Sequence, residues 1–120
     1  MRTGERIPMV KSGASLFDAI LEITRKGMGM TAVVDGTGRL VGLFTDGDLR
    51  RNLERNADPR TTVIDSVMTR DPRAIRPNSL AVEAVEVMER RKSTQLPVVD
   101  AEGRLVGALN IHDLFQAKIL

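Results

Sequence analysis

The chain contains two copies of one segment, offset by 65 residues along the sequence. Without a gap, this offset aligns identical residues along both copies: Ala19 with Ala84, Arg25 with Arg90, Val33-Val34-Asp35 with Val98-Val99-Asp100, Gly38-Arg39-Leu40-Val41-Gly42 with Gly103-Arg104-Leu105-Val106-Gly107, and Asp48-Leu49 with Asp113-Leu114. Two unrelated stretches would not keep one register over so many positions. A fixed internal period indicates a fold assembled from repeated supersecondary units.

Each copy predicts the element order β-α-β-β-α. Apolar residues at helical spacing predict a helix, and short β-branched runs bounded by Asp and Gly predict a pair of strands. Ser15 is the expected N-cap of the first helix, and Asn78 or Ser79 that of its counterpart. The predicted elements are an extended segment at 7–10, a helix from 16, strands at 30–34 and 40–45 and a helix at 46–55, then an extended segment at 74–76, a helix from 81, strands at 95–99 and 105–110 and a helix at 111–118.

The repeat predicts an α/β fold of two tandem units. The first repeat is expected at 1–56 and the second at 73–120, joined by a connector at 57–72 with a short apolar helix at 63–68. The first repeat begins short, because Met1-Arg2-Thr3 stands where Met68-Thr69 precedes the second. We therefore expect the natural chain to extend upstream.

Composition narrows the classes of partner. The chain has 120 residues, 42% of them hydrophobic and 28% charged, and a net charge of +2. No apolar run approaches the ~20 residues of a membrane span, and the absence of cysteine suits the cytoplasm. The only aromatic residues are three phenylalanines, so the sequence offers no stacking platform for nucleic-acid bases. We expect a cytoplasmic protein that binds neither membrane nor nucleic acid.

The sequence predicts no catalytic residues and no metal site. It has one histidine and no cysteine, and therefore no pair of histidines at metal-ligand spacing and no thiol nucleophile. The glycines at 36 and 38 lie in a predicted hairpin turn, whereas a dinucleotide-binding loop should open a helix. A stand-alone hydrolase or isomerase is the weakest of the functional readings.

Three stretches resemble CBS domains. They are Asp65-Ser66-Val67-Met68-Thr69, Leu96-Pro97-Val98-Val99-Asp100 and the repeated Gly-Arg-Leu-Val-Gly. The resemblance covers nearly the whole chain. It implies a pair of units packed about a pseudo-two-fold axis through their sheets, with ligands bound in a cleft between the repeats and self-association into dimers.

A narrower resemblance links the chain to the C-terminal half of arabinose 5-phosphate isomerases. It is carried by Arg2-Thr3-Gly4-Glu5-Arg6-Ile7-Pro8, Thr24-Arg25-Lys26-Gly27-Met28-Gly29-Met30-Thr31, Phe44-Thr45-Asp46-Gly47-Asp48-Leu49-Arg50-Arg51 and His112-Asp113-Leu114. Those enzymes join an N-terminal sugar-isomerase (SIS) domain to a CBS pair and act in synthesis of Kdo, a lipopolysaccharide sugar. The resemblance implies that catalysis belongs to an upstream SIS domain, and that the longer protein forms a dimer or a tetramer.

Thr45 and Asp48 are the main candidate ligand contacts. A predicted strand ends and a helix begins at Thr45, where backbone N–H groups favour anions. In CBS domains that bind nucleotides, the hydroxyl at this position contacts phosphate and the acid contacts ribose. The alternative is a capping arrangement that serves the helix alone.

In the second copy, Asn110 and Asp113 take the positions of Thr45 and Asp48, so the two candidate sites are chemically unequal. His112 lies beside Asp113 in a predicted first helical turn. It is either a surface histidine or a further ligand contact.

Met30 and Leu96 are candidate pocket residues for a base or a sugar, with plain core as the alternative. No cofactor is required. The resemblance and the logic of feedback favour CMP-Kdo as effector, with an adenine nucleotide as the general CBS alternative. A second hypothesis, of a different class, is a structural dimerisation module without a ligand.

Overall fold

The structure is a computed structural model that describes residues 1–78, 81–91 and 94–110. Within these residues we number the strands and helices in chain order. The elements are β1 Met9–Lys11, α1 Leu16–Lys26, β2 Met30–Val34, β3 Leu40–Thr45, α2 Asp46–Glu54, β4 Thr69–Arg70, α3 Ala81–Arg91, β5 Gln95–Val99 and β6 Leu105–Asn110, with 3-10 turns at Gly4–Arg6 and Ile64–Ser66. The predicted helix at 111–118 lies outside the described residues.

The contacts group the chain into two compact units. The first unit is Pro8–Pro72, and the second comprises Met1–Ile7 with the described residues of Arg73–Leu120. The connector therefore packs with the first repeat, and the first seven residues pack with the second. No helix in the described ranges is long and apolar enough to cross a membrane.

The described part of the first unit contains a four-stranded sheet of order β1-β2-β3-β4. Strand β1 is parallel to β2, because α1 carries the chain back between them, while β2, β3 and β4 are antiparallel neighbours. One face is closed by a core that α1, the strands and the connector share. This core comprises Leu16, Ala19, Ile23, Val33, Phe44, Ile64 and Met68.

The described part of the second unit repeats this plan with β5 antiparallel to β6. The register shifts between Val98 and Val99, 65 residues after the shift between Val33 and Val34. Both hairpin turns are also closed in the same way. Asp35 Oδ1 accepts backbone N–H groups two and four residues on, at 2.8 and 3.0 Å, and Asp100 Oδ1 accepts the equivalent pair at 2.9 Å each. The internal repeat in sequence is therefore a repeat in backbone geometry.

Helix α1 forms as predicted. The Ser15 side chain accepts the N–H of Asp18 at 3.1 Å, and the helix ends at Gly27, whose φ of 69° is left-handed. Glu22 is buried on the inner face, where its Oε2 accepts the backbone N–H of Met9 at 3.0 Å and the Nζ of Lys26 at 2.7 Å. This carboxylate joins α1 to the edge strand β1.

The predicted helix at 63–68 is wrong in length, because the structure has only the 3-10 turn Ile64–Ser66 there. The chain must already be extended at Thr69, where β4 pairs with β3. Asp65 also binds the loop after β1: it accepts the Ser12 hydroxyl, and its Oδ1 accepts the Gly13 N–H at 2.7 Å. These tertiary bonds hold the segment as a single turn.

In each unit, the segment that precedes a repeat lies against a glycine of the sheet. In the first unit Met68 covers Gly42, and in the second Met1 covers Gly107. Arg2 extends the second sheet, since its N–H lies 2.8 Å from Ala108 O and its carbonyl accepts the Ala108 N–H at 3.0 Å. Residues 1–2 thus pack on the sheet of the second unit as the chain around Met68 packs on the sheet of the first.

Candidate functional site

Strand β3 runs directly into α2, and Thr45 is the residue at the junction. Thr45 Oγ1 accepts the N–H of Asp48 at 3.2 Å, and Asp48 Oδ2 accepts the N–H of Thr45 at 3.0 Å. This is a complete capping box, in which two backbone donors at the helix start are satisfied reciprocally. The predicted cap is therefore present, and it places a hydroxyl and a carboxylate side by side.

The capping box does not use all of the hydrogen-bonding capacity of its two side chains. An ionised carboxylate has about four lone-pair positions, and the bond from Thr45 uses only one of them. Asp48 Oδ1 accepts a second bond, from Arg51 Nη2 at 2.6 Å. The Thr45 hydroxyl acts as an acceptor in the cap, so its proton remains a donor. The junction can accept hydroxyl groups and donate to an anion while α2 stays capped.

Met30 lies in the adjacent strand, directly opposite Thr45 in the β2–β3 register. Its side chain is fully buried, as is that of Phe44 next to Thr45. Leu96 is likewise buried in the second unit, in a core cluster with Ala84 and Met88. The structure thus places both candidate pocket residues, Met30 and Leu96, in the interior.

Asn110 is the last residue of β6 and lies opposite Gln95, as Thr45 lies opposite Met30. It is half-buried. The structure brings together Thr45, Asp48 and Met30 in the first unit, but in the second unit Leu96 pairs with Leu109 and not with Asn110. His112 and Asp113 lie outside the described residues.

Two features of the first unit are absent from the sequence prediction. One is the Arg51 guanidinium on Asp48, which an acid followed three residues later by a base could have indicated. The other is the Asp65 contact with Ser12 and Gly13, which spans more than fifty residues and has no local signal. The Ser12 hydroxyl, and then the Gly13 N–H, hold the pKa of Asp65 below its usual value.

The turn carboxylates also have perturbed acidity. The hydroxyl and N–H of Thr37 are the main groups that lower the pKa of Asp35. The backbone N–H of Arg104 is the main group that lowers the pKa of Asp100. Both carboxylates belong to partly buried turn residues that fix hairpins, so the lowered pKa values reflect local structure.

Comparisons with a family model and with known proteins give matches along nearly the whole chain. The family model described as CBS domain matches residues 1–55 and 64–119. The chain is 52% identical over 120 residues to arabinose 5-phosphate isomerase KdsD of Pseudomonas aeruginosa, and 46% identical to that of Escherichia coli. All of this chain is covered, but only 37% and 36% of those two proteins. The chain thus spans just over a third of the length of these relatives.

Among solved structures, CBSX2 of Arabidopsis thaliana in complex with AMP is similar, with a TM-score of 0.83 and 27% sequence identity. The match covers 99% of this chain and 92% of that one. A second crystal structure of CBSX2 gives a TM-score of 0.85. Repeat, hairpin geometry and family model agree, and the chain belongs to the CBS domain family as a tandem pair.

Proposed function

We propose that the chain is the effector-binding CBS pair of a longer protein of the arabinose 5-phosphate isomerase type. The observation that carries the proposal is the β3–α2 junction, where the Thr45 hydroxyl and the Asp48 carboxylate lie within one capping box. A structural relative with 27% identity was crystallised with AMP, which supports a ligand of nucleotide type. Catalysis belongs to the part of the longer protein outside this chain, the SIS domain expected upstream.

The junction suits a phosphorylated ribose for chemical reasons. A ribose diol donates hydrogen bonds, and the Asp48 carboxylate has lone pairs left to accept them. A phosphate accepts hydrogen bonds, which the Thr45 hydroxyl and the backbone at the start of α2 can donate. A neutral sugar would use only half of this arrangement.

Two effectors fit this chemistry. An adenine nucleotide is supported by the AMP complex of the relative. CMP-Kdo is supported by the likeness to the isomerases, because feedback control of a pathway requires a sensor for its end product. Either ligand would regulate the longer protein only if it binds one of its conformations more tightly than another.

Thermal unfolding in the presence of AMP, ATP, CMP and CMP-Kdo tests the proposal. A ligand at a hundredfold excess over its dissociation constant stabilises the folded state by about 2.7 kcal/mol, which raises the melting temperature by several degrees. Thr45→Val removes the hydroxyl with little change in volume and should abolish the shift. If no nucleotide shifts the melting temperature of the unsubstituted chain, the effector role is wrong.

A second candidate function is assembly without an effector. Leu49 and Leu53 lie in a shallow groove on α2, flanked by charged residues, and about half of Leu53 is exposed. A second copy of the chain is the occupant that CBS pairing favours. Sedimentation equilibrium separates the two functions: a dimer that melts identically with every nucleotide would leave assembly as the function, and Leu53→Asp should then give a monomer.

A further inference from the structure

We propose that Arg51 makes the β3–α2 junction selective for anionic ligands. The inference rests on the proposed function and deepens it, since it names the residue that distinguishes a nucleotide from a neutral nucleoside. It is carried by the position of the guanidinium on Asp48 and by the bare backbone at Gly47 beneath it.

One edge of the Arg51 guanidinium is bonded to Asp48, and the rest of the side chain is largely exposed to solvent. Its Nη2 donates to Asp48 Oδ1 at 2.6 Å, and the exposed fractions of the two side chains are 56% and 17%. A guanidinium carries five N–H donors in a planar fork, and this bond uses one of them. The half-buried carboxylate therefore orients a cation whose other donors face solvent.

Gly47 leaves room beside this cation. A Cβ built there would lie 3.4 Å from Arg51 Nη1 and 3.7 Å from Thr45 Oγ1. The guanidinium and the candidate hydroxyl therefore flank the same bare stretch of backbone. Gly47 lies in α2 and is not among the glycines with positive φ, so its backbone conformation does not require glycine.

A glycine inside a helix costs about 1 kcal/mol relative to alanine. The backbone conformation at Gly47 suits any residue, so the backbone does not account for glycine at this position. A side chain at this position would fill the space between the Thr45 hydroxyl and the Arg51 guanidinium, at van der Waals distance from both, and glycine leaves that space open. Both groups can donate hydrogen bonds into that opening, as a phosphate requires.

The local charge makes Arg51 necessary for such a ligand. The first turn of α2 carries two carboxylates, Asp46 and Asp48, and like charges repel a phosphate. Arg51 offsets this repulsion at the atom where Asp48 would accept a ribose hydroxyl. The Asp48 carboxylate then accepts hydrogen bonds from the ribose diol, and the Arg51 guanidinium donates hydrogen bonds to the phosphate.

The sequence of the second repeat has neither the arginine nor the glycine of this arrangement. At the offset of 65 residues, Gln116 takes the position of Arg51 and His112 that of Gly47. Both lie outside the described residues, so the comparison is one of sequence only. It predicts that selection for a phosphate group is a property of the first repeat.

Isothermal titration with AMP and CMP, each beside its nucleoside adenosine or cytidine, tests the inference. Arg51→Gln should weaken nucleotide binding by about tenfold, the effect of one lost charge-assisted bond, and leave nucleoside binding within about twofold. Arg51→Lys should recover part of the nucleotide affinity. Arg50→Gln is the matched control, because it removes the same charge from an adjacent helix position and should change neither affinity.

Failure of the inference is distinguishable from failure of the proposed function. If the unsubstituted chain binds none of the four ligands, both the proposed effector site and the proposed role of Arg51 are wrong. If it binds nucleotides and Arg51→Gln leaves that affinity unchanged, raises it, or weakens nucleosides equally, only the role of Arg51 is overturned. Circular dichroism melts of each variant verify folding, which this exposed side chain should not alter.

Discussion

Gly42 lies beneath Met68 in the first unit, where the connector crosses strand β3. A Cβ added at Gly42 would lie 2.2 Å from Met68 Sδ and 2.8 Å from its Cγ, far inside van der Waals contact. Met68 belongs to the buried core, so it cannot move aside freely. Glycine is therefore required at this position by packing, whereas at Gly107 the nearest atoms belong to Met1, which is 54% exposed and constrains the glycine less.

Gly42→Ala should destabilise the chain by about 1–3 kcal/mol, the usual cost of overpacking a core. Urea denaturation measures it. Gly36→Ala is the matched control, since a Cβ there meets nothing within 4 Å, and it should change stability by no more than about 0.5 kcal/mol. Adding Met68→Ala to Gly42→Ala should cost less than the sum of the two single changes; strict additivity would contradict the proposed contact.

Asp65 predicts a pH dependence. Hydrogen bonds from Ser12 and Gly13 lower its pKa in the folded state, so it binds its proton less readily folded than unfolded. Its contribution to stability is therefore fully present above the unfolded pKa near 3.9 and is lost as the pH falls through the lower folded pKa. Asp65→Asn should cost on the order of 1 kcal/mol at pH 7 and less in acid, because these bonds are solvent-exposed.

Denaturant melts between pH 7 and pH 2.5 test this expectation. The stability difference between Asp65→Asn and the unsubstituted chain should shrink below pH 4. A constant penalty for Asp65→Asn across the range would show that its charge is not what joins the connector to the loop.

At the scale of elements, α1 and α2 begin with similar caps but differ in what surrounds them. Ser15→Ala and Thr45→Val each remove a side-chain acceptor from a helix start and should each cost about 1 kcal/mol. Only Thr45 belongs to the candidate effector site. Ser15→Ala should leave nucleotide affinity unchanged, and Thr45→Val should abolish nucleotide binding. Equal affinities in the two variants would show that Thr45 acts only as a helix N-cap.

Much of this fold was predictable from the sequence because its signals are local. The strands at 30–34, 40–45, 95–99 and 105–110 agree with the structure residue for residue, since turn residues at 35–38 and 100–103 separate the two strands of each pair. The Ser15 cap is confirmed for the same reason. The helix at 63–68 was wrong because Asp65 bonds to a loop more than fifty residues away, which no local pattern records.

The candidate site was predictable only in part. The pairing of Thr45 with Asp48 follows from their spacing at a helix start. The placement of Arg51 depends on which side-chain rotamer the packed helix allows, and the burial of Met30 depends on both faces of β2 being covered. Those properties arise from tertiary packing, and a single sequence does not encode them as a local pattern.

At the scale of the whole molecule, the repeat supplies two strand ends, those of β3 and β6, that carry different residues. The first carries Thr45 and Asp48, whereas β6 ends in Asn110. Two unequal sites in one chain allow one to bind an effector while the other serves structure. This chain covers just over a third of the length of its isomerase relatives, so transmission of binding to a catalytic domain is a proposal to be tested in the longer protein.

The most direct measurement is the backbone amide spectrum of the ¹⁵N-labelled chain during titration with AMP and with CMP-Kdo. We expect one of these ligands to shift the amide resonances of Thr45 to Asp48 in a saturable way, while the resonances around the helix cap at Ser15 stay in place. Unchanged resonances at Thr45 to Asp48 with both ligands at millimolar concentration would contradict the claim that this junction is an effector site.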